Sequence, residues 1–366
     1  MDSIGLYLHI PFCNSKCPYC DFYSFRADES KKQAYVDALI REIKAKKQQF
    51  TCKANTLYIG GGTPSALSET QLSKIVKTAK NEFLTADAEI TVECNPHGLK
   101  KDFFEALKEA GVNRISLGLQ SANDNERRKL GRSADRNEIA SVISEIKSAG
   151  IKNISLDVML GIPDSTPESL KDTLDFCISQ DITHISCYIL KLEEGTFFFK
   201  NQNKLNLPDE DTVCDMYLFM CDYLEKHGFT QYEISNFAKK GFESKHNLKY
   251  WNCEEYLGIG AAAHSFIDGK RFYYERNADS FIDGASPVPD GEGGDFTEYA
   301  MLRLRLCEGL TEQGVNSRFG FGIPEKMRKN AEKFIPDGYA VSDGNGIRLT
   351  AKGFLISNTV ISELLY

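Results

Sequence analysis

Along residues 1–200 the chain alternates two patterns. Short apolar, β-branched runs read as strands: "IGLYLHI" (4–10), "NTLYIG" (55–60), "AEITVEC" (88–94), "NRISLGL" (113–119), "NISLDVML" (153–160) and "THISCYIL" (183–190). Between them, apolar residues recur at helical spacing. Val36, Leu39, Ile40 and Ile43 fall at i, i+3, i+4 and i+7, and so do Leu72, Ile75, Val76 and Ala79. Ile139, Val142, Ile143 and Ile146 repeat the pattern. Ser68 with Gln71 suits a capping box, and Thr166-Pro167 suits an N-cap followed by proline at the first helical position.

Six strands alternating with helices predict an α/β fold with a parallel sheet and right-handed crossovers. Nothing marks a reversal of strand order, and the first βα turn carries cysteines instead of G-x-G-x-x-G. A partial (β/α)6 TIM-type barrel is therefore favoured over a dinucleotide-binding sheet. Such a barrel does its chemistry at the C-terminal ends of its strands. The distinctive residues collect there: Cys13–Cys20 after the first strand, "GGGTP" (60–64) after the second, then Glu93 and Gln120.

Further along, "DEDTVCDMYLFMCDYLEKHGF" (209–229) reads as a helix and "QYEISNFA" (231–238) as a strand. The segment "DGASPVPDGEGGD" (283–295) has the composition of a linker. Residues 296–366 read as a small, mostly helical domain with a hairpin around "DGNG" (343–346). The expected division is a core with its flanking helix (1–235), an α+β extension (236–284), a linker (285–295) and the C-terminal domain (296–366).

Composition narrows the function. At 366 residues the chain exceeds what one compact core usually holds, and 42% hydrophobic with 26% charged residues is ordinary for a globular protein. No apolar run is long enough to span a bilayer. A net charge of -8 gives no drive toward nucleic acid or an anionic membrane. The C-terminal helix–helix–wing outline resembles a DNA-binding module. However, nine Lys/Arg against nine Asp/Glu from Asp295 to Tyr366 make a poor electrostatic footprint, so a structural or partner-facing role is expected. The start, "MDSIGLYLHIPFC", lacks a basic region, a long apolar stretch and an Arg-rich presequence. Eleven cysteines, several of them isolated in apolar surroundings as Cys177 and Cys187 are, suit a reducing compartment, so a cytoplasmic location is expected.

Within "CNSKCPYCDF" (13–22), Cys13, Cys17 and Cys20 form C-x3-C-x2-C and Phe22 follows two residues later. A structural zinc site takes four ligands, usually as two separated pairs, and no second pair exists here. His9 is near, but on a strand it points along its own pleat. Three thiolates on a cubane iron–sulfur cluster leave one iron open to a small molecule. The remaining reading is a loop of unrelated cysteines.

C-x3-C-x2-C followed by an aromatic resembles the radical S-adenosylmethionine superfamily. The resemblance implies a [4Fe-4S] cluster on Cys13, Cys17 and Cys20, with the open iron taking the amino and carboxylate groups of S-adenosylmethionine. "GGGTP" resembles that family's glycine segment, although alone it is equally an ordinary βα turn. Without the Lys-Ser/Thr of a phosphate loop it does not suggest triphosphate binding.

Within the superfamily, the chain is similar over essentially its whole length to the oxygen-independent coproporphyrinogen III oxidases and their relatives. "LYLHIPFC", "GGGTPS", "ITVECNP", "RISLGLQS", "LDVMLGIP" and "YEISNFA" carry the likeness. Tyr7, Gly61, Gly62, Thr63, Glu93, Gln120, Arg132 and Asp157 thereby become candidate S-adenosylmethionine contacts. Each has a plainer role open to it: Asp157 as a loop cap, Arg132 as a solvated surface charge.

The oxidases are similar at the cluster but carry a fourth cysteine where this chain has Phe22. C-x3-C-x2-C-x-F resembles instead the sister group of heme chaperones, HemW, and leaves the Phe22 ring free to stack near the adenine. "HNLKYW" (246–251) matches that group's H-N-x-x-Y-W. This implies heme as a ligand, with His246 as an axial ligand and Tyr250 and Trp251 packing on the porphyrin. A histidine before aromatics is also commonly a satisfied structural one, and His264 in "GAAAHSF" is the second candidate, expected from its small neighbours to be structural. Three functions follow from the resemblance: a heme chaperone delivering to an apo-hemoprotein such as a membrane respiratory enzyme, a coproporphyrinogen oxidase performing oxidative decarboxylation, or another radical enzyme. A homodimer favoured by cluster, S-adenosylmethionine or heme is left open.

Overall fold

The computed structural model describes residues 3–366. The six strands read from the sequence are β1 (Ile4–Ile10), β2 (Ala54–Gly61), β3 (Leu84–Cys94), β4 (Arg114–Gln120), β5 (Asn153–Leu160) and β6 (His184–Ile189). Each pairs in parallel with the next. Among the described residues β6 does not pair back to β1, so the barrel is partial. The crossovers carry α1 (Glu29–Gln49), α2 (Glu69–Glu82), α3 (Lys101–Ala110), α4 (Asp124–Lys129), α5 (Arg136–Ser148) and α6 (Pro167–Ser179). The capping box of Ser68 and Gln71 forms, and Thr166 caps α6 with Pro167 in its first turn.

Strand alternation divides the residues between two faces. Leu6, Leu8, Leu57, Ile59, Val92, Ile115, Leu117, Ile154 and Leu156 are fully buried and share one hydrophobic core with helix residues such as Val36, Leu39, Ile75, Val76, Ile139 and Ile143. The alternate positions, Tyr7, His9, Tyr58, Glu93, Ser116 and Asp157, line the barrel lumen and bond to one another there. The helices thus take the apolar face, and the lumen keeps the polar one.

Past β6 come α7 (Phe197–Lys200) and α8 (Glu210–Lys226), then the antiparallel pair β7 (Thr230–Gln231) and β8 (Asn236–Ala238) on the β6 edge. After α9 (Lys245–Trp251), strand β9 (Tyr256–Ile259) adds in parallel to β1. Then β10 (His264–Ile267), β11 (Lys270–Tyr273) and β12 (Val288–Glu292) continue antiparallel. Residues 296–366 hold five helices and a three-stranded sheet that includes the hairpin at "DGNG". They dock through the backbone: Ile234 donates to the Arg305 carbonyl at 2.9 Å and Cys307 to the Tyr232 carbonyl at 3.0 Å.

Two expectations change. "QYEISNFA" is not one strand, because Tyr232 to Ser235 turn the chain so that β7 and β8 pair with each other, and the Tyr232 amide bonds back to the Asn236 carbonyl. The segment read as a linker contains β12. Its Pro289 and its exposed polar side chains suit an edge strand, where no further ladder has to be completed.

Candidate functional site at the barrel mouth

The cysteine loop follows β1 and is anchored by packing. Phe12 is fully buried and meets Phe25 and Tyr35 edge to face, at 5.6 and 5.3 Å. Its neighbours are pinned as well: Cys13 N–H donates to the Phe25 carbonyl at 3.0 Å, and Phe25 N–H to the Pro11 carbonyl at 2.9 Å. From this base Cys13, Cys17 and Cys20 stand partly exposed, unpaired with any other cysteine. Burial pushes the Cys20 thiol up. Among the described residues no three His, Cys, Asp or Glu side chains converge on a single-ion site. The donor set fits a cubane instead, whose thiolates bind separate irons and need not meet at one point. Phe22, expected near the adenine, projects from the loop with 64% of its surface exposed.

"GGGTP" is stitched to the same loop. Gly62 N–H donates to the Ile10 carbonyl at 2.8 Å, and Thr63 N–H to the Phe12 carbonyl at 2.7 Å. Thr63 Oγ1 lies 3.3 Å from Cys13 Sγ. Gly61 has φ of +115°, and a Cβ there would stand 2.5 Å from His9 Cε1, so no side chain fits.

Below this rim the lumen holds the expected polar groups. Glu93 accepts from Tyr58 Oη at 2.7 Å and from Gly61 N–H at 3.3 Å. Burial pushes its carboxyl up to about 7, with the Tyr58 bond opposing. Asp157 accepts from Ser116 Oγ at 3.1 Å, and burial raises it to about 6. Tyr7 shares a hydrogen bond of 3.0 Å with His9 Nδ1. Gln120 ends β4 in the left-handed region, φ +67°, just past a register shift between Gly118 and Gln120. Strained backbone of this kind collects at functional sites. Arg132 donates to Tyr19 Oη at 2.9 Å, which ties β4's following loop to the cysteine loop, and its Nε has no partner. It is not the solvated surface charge of the plainer alternative. Arg114, almost wholly buried, also leaves Nε and Nη1 unpaired. Unpaired buried donors beside two raised carboxyls, under a glycine cradle, fit a small ligand carrying carboxylate, amino and hydroxyl groups.

The structure thus brings Tyr7, Gly61, Gly62, Thr63, Glu93, Gln120, Arg132 and Asp157 to one end of one lumen. It also adds residues that the sequence reading missed: Tyr58, Arg114, Ser116 and Tyr19. Tyr58 donates to Glu93 and Ser116 pairs with Glu93 across β3 and β4, neighbours that no spacing within one strand marks.

The expected heme residues lie elsewhere. His246, Tyr250 and Trp251 are on α9, at the N-terminal ends of the strands. His246 is 1% exposed, with Nδ1 at 2.8 Å from Thr56 Oγ1 and Nε2 at 2.8 Å from Tyr250 Oη. Neither nitrogen has a free lone pair or proton for a macrocycle. Burial holds the ring neutral, down to about 3. Both ring nitrogens are therefore hydrogen-bonded in this arrangement, and ligation of heme iron would exchange one of those buried hydrogen bonds for the metal. His264, expected to be structural, is exposed: Ser265 turns inward to Gly258 N–H at 2.9 Å, so alternation turns His264 outward onto the Tyr273 ring at 5.2 Å.

Residues 7–177 match the Radical SAM superfamily, and residues 296–356 match the HemN C-terminal domain. The solved structure of Escherichia coli coproporphyrinogen III oxidase HemN, a radical SAM enzyme, superposes with a TM-score of 0.85 at 23% identity, covering 99% of this chain and 90% of that one. The fold is that of the radical SAM class. The heme chaperone HemW of Lactococcus lactis is 34% identical over 369 residues, 98% of this chain and 96% of its own. That of Bacillus subtilis is 35% identical over 378 residues, 98% of each. The chain belongs to the HemW family of heme chaperones, and its family implies a [4Fe-4S] cluster and S-adenosylmethionine. Among the described residues no helix is long and apolar enough to cross a membrane.

Proposed function

We propose that this protein binds heme and passes it to apo-hemoproteins, with a [4Fe-4S] cluster on Cys13, Cys17 and Cys20 and S-adenosylmethionine beside it at the barrel mouth. The observation that carries the proposal is Phe22. It stands exposed on the cysteine loop at the position where the similar oxidases have a fourth cysteine, in a chain alike along its whole length to heme chaperones. When bound, the cluster supplies an electron source with one open iron. The chain's own residues do the rest. Gly61 to Thr63 offer backbone at close approach, and Glu93 and Asp157 accept from hydroxyl or amino groups. Arg132 pairs with a carboxylate and holds the cysteine loop through Tyr19.

The acceptor is an apo-hemoprotein, with a membrane respiratory enzyme as the class that the resemblance suggests. The domain at 296–366 is the proposed docking place for it, and homodimerisation favoured by cluster, S-adenosylmethionine or heme belongs to the same proposal.

The test is a hemin titration of the anaerobically reconstituted protein, followed by transfer to an apo-hemoprotein. Saturable, near-stoichiometric binding and transfer are expected, along with loss of iron and sulfide in Cys13→Ala, Cys17→Ala and Cys20→Ala. Absence of hemin binding, combined with turnover of coproporphyrinogen, would replace the chaperone by an oxidase.

A further inference from the structure

Two arginines keep unpaired donors inside the lumen, and they stand at opposite ends of it. Arg132 is at the mouth, bonded to Tyr19 of the cysteine loop. Arg114 opens β4 and Gln120 ends it, a separation of about 20 Å at the rise of a strand. The Arg114 side chain is buried, and its Nε and Nη1 have no partner. Among the described residues no carboxylate pairs with it. A guanidinium buried alone is costly, so its counter-charge has to come from outside the chain.

The floor around Arg114 suits one more group. Register sets Arg114 beside Thr91 of β3, and Thr91 Oγ1 is buried and unpartnered too. Alternation turns both toward the lumen, on the side of Glu93 and Ser116. The carboxyls that share this face are bound elsewhere: Glu93 by Tyr58, Asp157 by Ser116, and Glu89 by the His246 N–H. A hydroxyl and two guanidinium N–H groups, side by side and unpaired, make a donor set for a carboxylate, whose geometry the planar arginine fork matches. Since β6 does not pair back to β1, no strand closes that side of the lumen.

We infer that Arg114, with Thr91, binds a carboxylate of the heme that the chain carries, a porphyrin propionate, at the floor of the lumen beside α9. The inference rests on the heme-chaperone reading and adds to it the group by which the porphyrin is recognised. Two ligands in that reading carry carboxylates. S-adenosylmethionine keeps its own at the mouth, on the open iron beside Cys13, Cys17 and Cys20, a barrel's depth from Arg114. Heme brings two propionates, and α9 with His246, Tyr250 and Trp251 lies at the Arg114 end: His246 N–H bonds Glu89, which precedes Thr91 on the same face of β3, and His246 Nδ1 bonds Thr56. A buried guanidinium there reads the acidic edge of the macrocycle, which iron ligation alone does not.

The test uses the full-length, anaerobically reconstituted protein and compares hemin with hemin dimethyl ester, in which both carboxylates are masked. Absorption titration of the wild type should show hemin bound about tenfold more tightly than the ester, the scale of one charge-assisted hydrogen bond. In Arg114→Met, hemin should fall to the level of the ester, while the ester keeps its wild-type affinity within about twofold. Arg114→Lys keeps a cation without the fork and should retain part of the preference. Thermal unfolding is followed on the same proteins before hemin is added. Because nothing in the chain pairs with the guanidinium, Arg114→Met should unfold at the wild-type midpoint or above it.

Equal affinity of the wild type for hemin and its ester overturns the inference, and so does a preference that survives undiminished in Arg114→Met. A variant that misfolds, or unfolds well below the wild type, overturns it as well, because the guanidinium then serves the fold. A drop in S-adenosylmethionine affinity in Arg114→Met, read by calorimetry with the hemin preference intact, assigns the carboxylate to that ligand instead. A wild type that binds neither porphyrin defeats the chaperone reading and this inference with it, whereas equal binding of the two spares the chaperone and removes only the role of Arg114.

Discussion

Phe12 and Tyr35 meet edge to face, 5.3 Å apart, directly beneath the cysteine loop, and both are fully buried. The Tyr35 phenol continues the contact, donating to the His9 carbonyl at 2.9 Å and accepting from Ala261 N–H at 2.9 Å. The loop that carries the thiols is therefore mounted on helix α1 and on the segment after β9, by core packing that involves no cofactor. Phe12→Ala should cost about 3–5 kcal/mol of stability, the usual range for emptying a buried aromatic site. The loop should also hold less iron after reconstitution. Denaturant unfolding with iron and sulfide analysis reads both, and full cluster content in a destabilised variant would show that the mount and the site are separate.

The pH dependence follows from Glu93, whose folded value is raised from 4.5 to about 7. Between those values the folded chain keeps a proton that the unfolded chain has released. This contribution to stability is complete below the unfolded value and is lost as pH rises through about 7. Glu93→Gln removes that slope. The variant should therefore gain on the wild type across this window, by at most roughly 3 kcal/mol. Urea unfolding of both proteins at the two ends of the window measures the change, and a constant difference would contradict a raised Glu93.

Gly61 sits at φ +115° with His9 filling the space where a Cβ would go. Gly61→Ala adds backbone strain and overpacking together, a loss of about 2–4 kcal/mol. Because Gly61 N–H also bonds Glu93, S-adenosylmethionine affinity should fall more than in Gly98→Ala, a positive-φ glycine with open space around it. Equal effects at the two glycines would reduce Gly61 to an ordinary turn.

Phe22 lies on the surface, so Phe22→Ala should change unfolding free energy by less than about 0.5 kcal/mol. Its ring is available to a ligand, and losing a stack on the adenine should weaken S-adenosylmethionine by roughly tenfold. Isothermal titration beside thermal unfolding separates the two. A variant that is destabilised with unaltered binding would make Phe22 a packing residue instead.

Local sequence is enough for the elements that depend on neighbours in the chain. The apolar runs at 4–10 and 153–160 coincide with β1 and β5, and the helical faces of α1, α2 and α5 are the buried ones. The Ser68 and Thr166 caps form for local reasons, and the spacing of Cys13, Cys17 and Cys20 needs only one loop. Tertiary structure decided what depends on register and on which face of an element meets another. "HNLKYW" reads as an aromatic helix with a usable imidazole. Only the packing of α9 under the lumen shows that both nitrogens of His246 are taken by Thr56, 190 residues earlier, and by Tyr250. "QYEISNFA" has strand composition, but pairing with β6 and with the C-terminal domain splits it. Tyr58, Arg114 and Ser116 became site residues only once parallel pairing set their strands in register beside Glu93 and Asp157. That register is fixed by contacts between segments tens of residues apart, and no stretch of a single chain encodes it locally.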